Sequence, residues 1–163
     1  FPERSMLKRL FAAFTCLAFA GPAAASPDLA AEWGHAATGL YADTVHAIEG
    51  GDLPANFEDS LTRFSVNAAR LGSWIDKSGG PVDLGCIFRG MSEEAEIQLY
   101  AITSQSTRET ALRRLATLFY DAETISLAAI HAGGSAHETR KVGGPPTCVG
   151  SPALTLQYLT EQP

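Results

Sequence analysis

Two cysteines, Cys86 and Cys148, are the residues of this sequence whose chemistry can be argued most directly. Each follows glycine and proline, in "GGPVDLGC" and "GGPPTC", so we expect both to lie in loops. A pair of thiols can form a structural disulfide or carry redox chemistry. Because the sequence has no Cys-x-x-Cys motif, it favours a structural disulfide between these two. In the chain-entropy model, closing a loop of this length stabilises the fold by roughly 4 kcal/mol.

The third cysteine, Cys16, lies in a predicted targeting segment. An apolar run at residues 10–20 follows two basic residues and precedes "GPAAAS". This pattern is typical of a secretory signal peptide, with cleavage predicted after Ala25. Residues 1–25 are therefore predicted to be an upstream extension plus a cleaved signal peptide, and residues 26–163 a single helical domain. The expected location is the bacterial periplasm or the secreted space, where the remaining two cysteines would be oxidised.

A weaker set of chemical groups follows the last long helical pattern. His131 and His137 flank "AGGSA", and Glu138 comes next, so the three side chains could meet around a loop. Imidazole and carboxylate are metal ligands, but zinc motifs usually place paired ligands two to five residues apart. The competing interpretation is a His131 that complements the helix dipole and a loop His137. A metal- or cofactor-binding helical bundle is therefore the alternative hypothesis.

Other catalytic and cofactor signatures are missing from the sequence. There is no Cys-x-x-Cys-His for covalent haem, no Gly-x-Ser-x-Gly and no His-Glu-x-x-His. Met91 is more easily explained as an apolar residue at a helix start than as a haem ligand. We therefore predict no cofactor, and the sequence leans toward a non-enzymatic protein without deciding the question.

Three large apolar residues suggest a binding surface. Trp74 lies beside the apolar stripe of its predicted helix, and Ile87 and Phe88 follow Cys86. They could cap the core, or form a patch that faces a partner. Core capping is the favoured interpretation, and the partner patch is the alternative.

The charge balance limits the partners. The chain has a formal net charge of −6, and loss of residues 1–25 would remove three basic residues and one acidic residue. Such an acidic chain matches nucleic acid poorly. No second apolar stretch is long enough to span a bilayer, so stable membrane insertion after cleavage is not expected. The predicted partner is an unknown periplasmic protein or small molecule.

Helical periodicity dominates the rest of the chain. Ser26 is the predicted cap of a first helix that ends at Gly50-Gly51, and a second helix is predicted from about Pro54 to Lys77. The apolar stripe of the first is Leu29, Trp33, Ala36, Leu40, Thr44 and Ala47, and that of the second is Phe57, Leu61, Phe64, Ala68, Leu71 and Ile75. The short link between them predicts an antiparallel hairpin.

Two further helices are predicted after a loop that carries Cys86. The third begins with Ser92 as its cap, although residues 97–101 also alternate like a strand. The fourth begins at "STRE", where Ser106 and Glu109 have capping-box spacing. Whether these two fuse into one kinked helix is left open, as is helix or strand for residues 153–159. The predicted fold is all-α: an up-and-down helical bundle of about four main helices, with a C-terminal tail tied back by a disulfide.

Overall fold

The computed structural model describes residues 26–134 and Cys148. Its elements are four α-helices, α1 (Pro27–Ile48), α2 (Phe57–Lys77), α3 (Val82–Ala101) and α4 (Arg108–Gly134). Within these described residues there is no β-strand. The predicted signal peptide at residues 1–25 and the segment at residues 153–159 lie outside them.

The helices form an up-and-down bundle. α1 packs most extensively against α4, and α2 against α3, while smaller interfaces join α3 to α4 and α1 to α2. Successive helices are joined by short connections and are therefore antiparallel. Trp74 near the end of α2 and Pro27 at the start of α1 both lie beside Gly133 near the end of α4. The predicted all-α, up-and-down architecture is confirmed.

Four aromatic rings, one from each helix, form the centre of the core. The indole of Trp33 stacks on Phe64, with ring centroids 4.6 Å apart, and its Nε1–H donates to the Phe64 carbonyl oxygen at 3.0 Å. Phe88 meets Trp33 edge-on at 5.1 Å, and Phe119 meets Phe64 edge-on at the same separation. Each such pair contributes about 0.5–1.5 kcal/mol beyond the burial of its apolar area. The rings thus lock all four helices together.

The first two helices follow their sequence patterns closely. The Ser26 hydroxyl caps α1 by accepting from the Leu29 N–H at 3.3 Å, and Gly50 adopts a φ of 98° just after the helix. All six residues of the predicted α2 stripe are buried. In α1 the stripe was wrong at one position, because Ala36 is exposed and Ala37 is buried in its place.

α3 begins eleven residues earlier than the sequence suggested, since its cap is Pro81 rather than Ser92. Cys86 was predicted in a loop and Ser92 as a helix cap, yet both lie inside a helix that starts at Val82. The physical reason is a core-facing stripe formed by Leu84, Phe88, Met91 and Ala95, whose steps of four, three and four residues fit a helix. Ser92 is buried, and its hydroxyl lies 3.0 Å from that of Ser65 in α2.

The question of one helix or two after Ser92 is settled by a tight connection. Residues 102–107 separate α3 from α4, and the Thr107 hydroxyl donates to the Ala101 carbonyl at 2.7 Å. α4 then begins at Arg108, within the predicted "STRE" start. The alternating residues 97–101 are helical, so the strand alternative was wrong.

Candidate functional site

The predicted metal ligands are only partly within the described residues. His131 is exposed on the last turns of α4, and its Nδ1 lies 2.8 Å from the Leu127 carbonyl oxygen. His137 and Glu138 lie outside the described residues. In residues 26–134 with Cys148, no three or more His, Cys, Asp or Glu side chains are grouped so that they could hold a metal ion. The His131, His137, Glu138 site stays a prediction.

The predicted partner patch of Trp74, Ile87 and Phe88 does not form as one surface. Phe88 is fully buried in the aromatic core, whereas its neighbour Ile87 is 37% exposed. Consecutive residues of a helix point about 100° apart, so one can face the core while the next faces solvent. Trp74 is half-buried and packs beside Gly133. Including Phe88 in the patch was therefore wrong, since it belongs to the core.

Cys86 and Cys148 meet at the end of the bundle where α3 begins. Their sulfur atoms are at disulfide distance, 2.07 Å, and their Cα atoms are 5.5 Å apart. Cys86 lies in the second turn of α3, and both residues are half-buried. The predicted pairing agrees with this geometry, and through it the C-terminal segment is tied to α3.

An arginine that the sequence reading overlooked joins this disulfide to α2. Arg89 follows Cys86 by one turn, and its Nη2 donates to Cys148 Sγ at 3.0 Å and to Cys86 Sγ at 3.3 Å. Its Nη1 forms an ion pair with Asp76 Oδ2 on α2. The side chains of Arg89 and Asp76 are 29% and 16% exposed, so this pair is shielded from solvent more than a surface ion pair would be. We call Cys86, Cys148, Arg89 and Asp76 the disulfide cluster.

Two glycines allow α2 and α3 to approach closely enough to build the disulfide cluster. A Cβ on Gly72 would lie 2.9 Å from the Gly85 carbonyl oxygen and 3.3 Å from Arg89 Cγ. A Cβ on Gly85 would collide with Asp76 Oδ1, a buried atom to which no described residue donates a hydrogen bond. The sequence signal for this contact is the spacing of three residues between Cys86 and Arg89, which places the two side chains on the same face of a helix. The signal is informative only if residues 82–91 are known to be helical.

A second candidate site is a groove along the outer surface of α2 and α3, which we call the α2–α3 groove. It consists of two depressions, both open to solvent, that adjoin at Glu96. The depression nearer the start of α2 is lined by Glu58, Asp59, Thr62, Glu96, Leu99, Tyr100 and Thr103. The depression nearer the end of α2 is lined by Val66, Ala69, Arg70, Ser73, Trp74, Lys77, Ser92 and Glu96.

The α2–α3 groove combines apolar side chains with opposite charges at its two ends. Tyr100 is 84% exposed and Val66 is 49% exposed, and each lines one of the two depressions. Three carboxylates, those of Glu58, Asp59 and Glu96, surround the depression that contains Tyr100. The basic residues Arg70 and Lys77 line the other depression. Such a surface can dock an elongated partner and fix its direction.

Fold and sites together define an all-α, up-and-down four-helix bundle with a cysteine pair that ties its C-terminal segment to α3. Among the described helices, none combines the length and the apolar character needed to cross a bilayer. No protein family model matches the chain, and comparison with curated proteins and with solved structures gives no match either.

Proposed function

We propose that this chain is a non-enzymatic helical protein of the periplasm or the secreted space that binds a protein partner along the α2–α3 groove. The observation that carries the proposal is the exposure of Val66 and Tyr100 inside a groove with a carboxylate cluster at one end and basic residues at the other. Exposed apolar side chains that are flanked by charged residues are typical of a surface that docks a partner.

The shape of the groove favours a protein over a small molecule. Small-molecule sites are concave and bury most of the ligand surface. Both depressions of the α2–α3 groove are open to solvent, and they extend along one face from Asp59 to Lys77. At 1.5 Å per residue this is about 27 Å, which matches a partner helix of about 18 residues.

The charges specify the partner further. An amphipathic helix would lay its apolar face over Val66 and Tyr100, as in other helix-in-groove complexes. Basic residues at one end of that helix would neutralise Glu58 and Asp59, and a basic residue nearer its middle would meet Glu96. Because the whole chain carries a formal net charge of −6, a basic partner would also be attracted at long range.

The proposed location rests on the predicted signal peptide together with the cysteine pair. The sulfur atoms of Cys86 and Cys148 are at bonding distance, and disulfides persist in oxidising compartments. A chain retained in the cytoplasm would be expected to keep both thiols reduced. Intact mass of the protein isolated from the periplasmic fraction would test this, since the proposal expects a chain that begins at Ser26 and lacks two hydrogens.

Two surface substitutions provide a matched test of the groove. Val66→Asp places a charge inside it, while Ile97→Asp places one at a similarly exposed position, 55% against 49%, outside the lining residues. Proteins retained from periplasmic extract by the immobilised wild-type protein are compared with those retained by each variant. We expect a basic partner to be captured by the wild-type protein and by Ile97→Asp but not by Val66→Asp. Its binding should be weakened by Glu96→Lys and by added salt.

Two results would contradict the proposal. One is a set of captured proteins that does not differ between Val66→Asp and Ile97→Asp. The other is catalytic turnover of a substrate that is neither a thiol nor a disulfide, abolished by changing a single polar residue. Far-UV circular dichroism of each variant establishes that the bundle is intact before either comparison is made.

A further inference from the structure

The guanidinium of Arg89 contacts both sulfur atoms of the cysteine pair, at 3.3 Å from Cys86 Sγ and 3.0 Å from Cys148 Sγ. We propose that the Cys86–Cys148 bond is a thiol–disulfide exchange site, which a dithiol partner reduces and in which Arg89 holds the released Cys86 sulfur as a thiolate. This activity is separate from binding at the α2–α3 groove.

The energetic argument depends on how the Arg89 contact differs between the two redox states. Sulfur in a disulfide is neutral and is a weak hydrogen-bond acceptor. A thiolate carries a full negative charge, and hydrogen bonds between two charged groups are about twice as strong as neutral ones. The same guanidinium therefore stabilises the reduced state more than the oxidised state, and it makes this disulfide easier to reduce than one without a cationic neighbour.

The geometry determines which sulfur stays with the arginine. Cys86 and Arg89 are one turn apart on the same helix, so the Cys86 sulfur remains beside the guanidinium after the bond is broken. Cys148 is tied to α3 through the disulfide itself. Within the described residues Cys86 and Cys148 are both half-buried rather than fully enclosed, as exchange with an external thiolate requires.

Asp76 keeps the guanidinium in place without covering the sulfurs. Its Oδ2 pairs with Nη1 of Arg89, while Nη2 is the atom that donates to both sulfurs. Two other charged residues are near the disulfide cluster in sequence, Lys77 next to Asp76 and Asp83 three residues before Cys86. Both are exposed. Arg89 thus contacts Asp76 on α2 with one nitrogen and both sulfur atoms with the other, and we assign it a positioning and charge-stabilising role.

The exchange balances as two displacement steps. A thiolate of the dithiol attacks Cys148 Sγ, the Cys86–Cys148 bond breaks, and the electron pair leaves on Cys86 as a thiolate held by Arg89. The second thiol of the partner, after losing its proton, attacks the mixed disulfide and releases Cys148, which takes up a proton. Two electrons pass to the pair and the dithiol becomes a disulfide. The proton lost by the partner's second thiol is balanced by the one that Cys148 takes up, and the negative charge of the attacking thiolate ends on Cys86.

The first test isolates the Cys86 thiol. In full-length Cys148→Ser the rate of alkylation by iodoacetamide is measured against pH, alone and combined with Arg89→Gln or with Arg113→Gln. Arg113 is a fitting control because its ion pair with Glu109 is exposed and lies on α4. We expect the pH midpoint for alkylation to lie below the ordinary cysteine value of about 8.5 and to rise with Arg89→Gln only.

The second test uses the disulfide in the otherwise unmodified protein. Wild type, Arg89→Gln and Arg113→Gln are equilibrated in dithiothreitol redox buffers, trapped by alkylation and weighed. Loss of one charge-assisted hydrogen bond predicts an equilibrium constant for reduction that falls about tenfold in Arg89→Gln. An unchanged constant together with an unchanged alkylation midpoint would assign Arg89 a purely structural role and overturn the proposal.

Discussion

The carboxylate of Asp76 fills the space beside Gly85 that any larger residue at that position would need for its side chain. This relationship explains why a glycine stands inside the helix that carries Cys86. It also places Asp76 within hydrogen-bonding distance of Arg89. The close approach of α2 to α3 and the arrangement of the disulfide cluster therefore both depend on the packing of Asp76 against Gly85.

A glycine-to-alanine pair in α3 tests that relationship. In Gly85→Ala the new methyl group collides with the Asp76 carboxylate, and we expect a loss of about 1–3 kcal/mol in the free energy of unfolding. Gly90 lies in the same helix, and no atom of the described residues lies within 4 Å of the place a Cβ would take, so Gly90→Ala should stabilise by about 0.5–1 kcal/mol. Urea denaturation followed by circular dichroism measures both. Equal effects of the two substitutions would contradict the packing described for Asp76.

The parts of the fold that the sequence predicts best are those in which one stripe of apolar residues is enough. α2 is the clearest case, because all six residues of its predicted apolar stripe, which begins at Phe57 and ends at Ile75, are buried. The start of α3 is the clearest failure. Glycines in "GGPVDLGCIFRG" indicated a loop, but Gly85 is there to admit Asp76, and this depends on a contact with another helix that no local pattern reveals.

The candidate sites were predictable only where chemistry alone limits the choice. Cys86 could be paired with Cys148 because no other cysteine remains after the predicted cleavage. Arg89 could not be assigned a role, because its contacts require both the helical register of α3 and the position of Asp76 on α2. The α2–α3 groove likewise depends on how two helices pack. The prediction that Phe88 lies in a surface patch failed because residues 82–91 form a helix and not a loop.

The central tryptophan gives a prediction about the core. Trp33→Phe removes the Nε1–H that donates to Phe64 and leaves a void between α1 and α2, so we expect a loss of about 2–4 kcal/mol. Trp74→Phe at the half-buried edge should cost less, about 1 kcal/mol. Urea unfolding is followed by circular dichroism, since each change removes a fluorophore. A larger loss for Trp74→Phe would contradict the central position of Trp33.

Asp121 on α4 gives a prediction about pH. Partial burial raises the pKa of this carboxyl above its ordinary value of 3.8. Folding therefore favours the protonated form, and the ionised carboxylate destabilises the folded state at any pH above the raised value. Asp121→Asn should raise the melting temperature at pH 7, and the gain should shrink as pH falls through that value toward 3.8.

The control for this pH effect is Asp52→Asn, which also removes one negative charge but at an exposed loop position. It accounts for any general benefit of lowering the net charge of an acidic chain. Melting temperatures of wild type and both variants are compared between pH 3 and pH 8. A gain for Asp121→Asn that equals that of Asp52→Asn at every pH would contradict desolvation as the cause.

A buried polar pair in α3 supports the last prediction. Glu94 is 6% exposed and accepts at 2.8 Å from the amide of Gln98, which is 2% exposed. Glu94→Ala leaves that amide buried without this acceptor, so we expect a loss of about 1–3 kcal/mol, whereas Glu94→Gln retains an acceptor and should cost less. The exposed neighbour Glu93→Ala should change the free energy of unfolding by less than about 0.5 kcal/mol. If Glu94→Ala were as mild as Glu93→Ala, the pair would be contributing nothing to the packing of α3, and its burial would have to be explained by contacts other than the hydrogen bond.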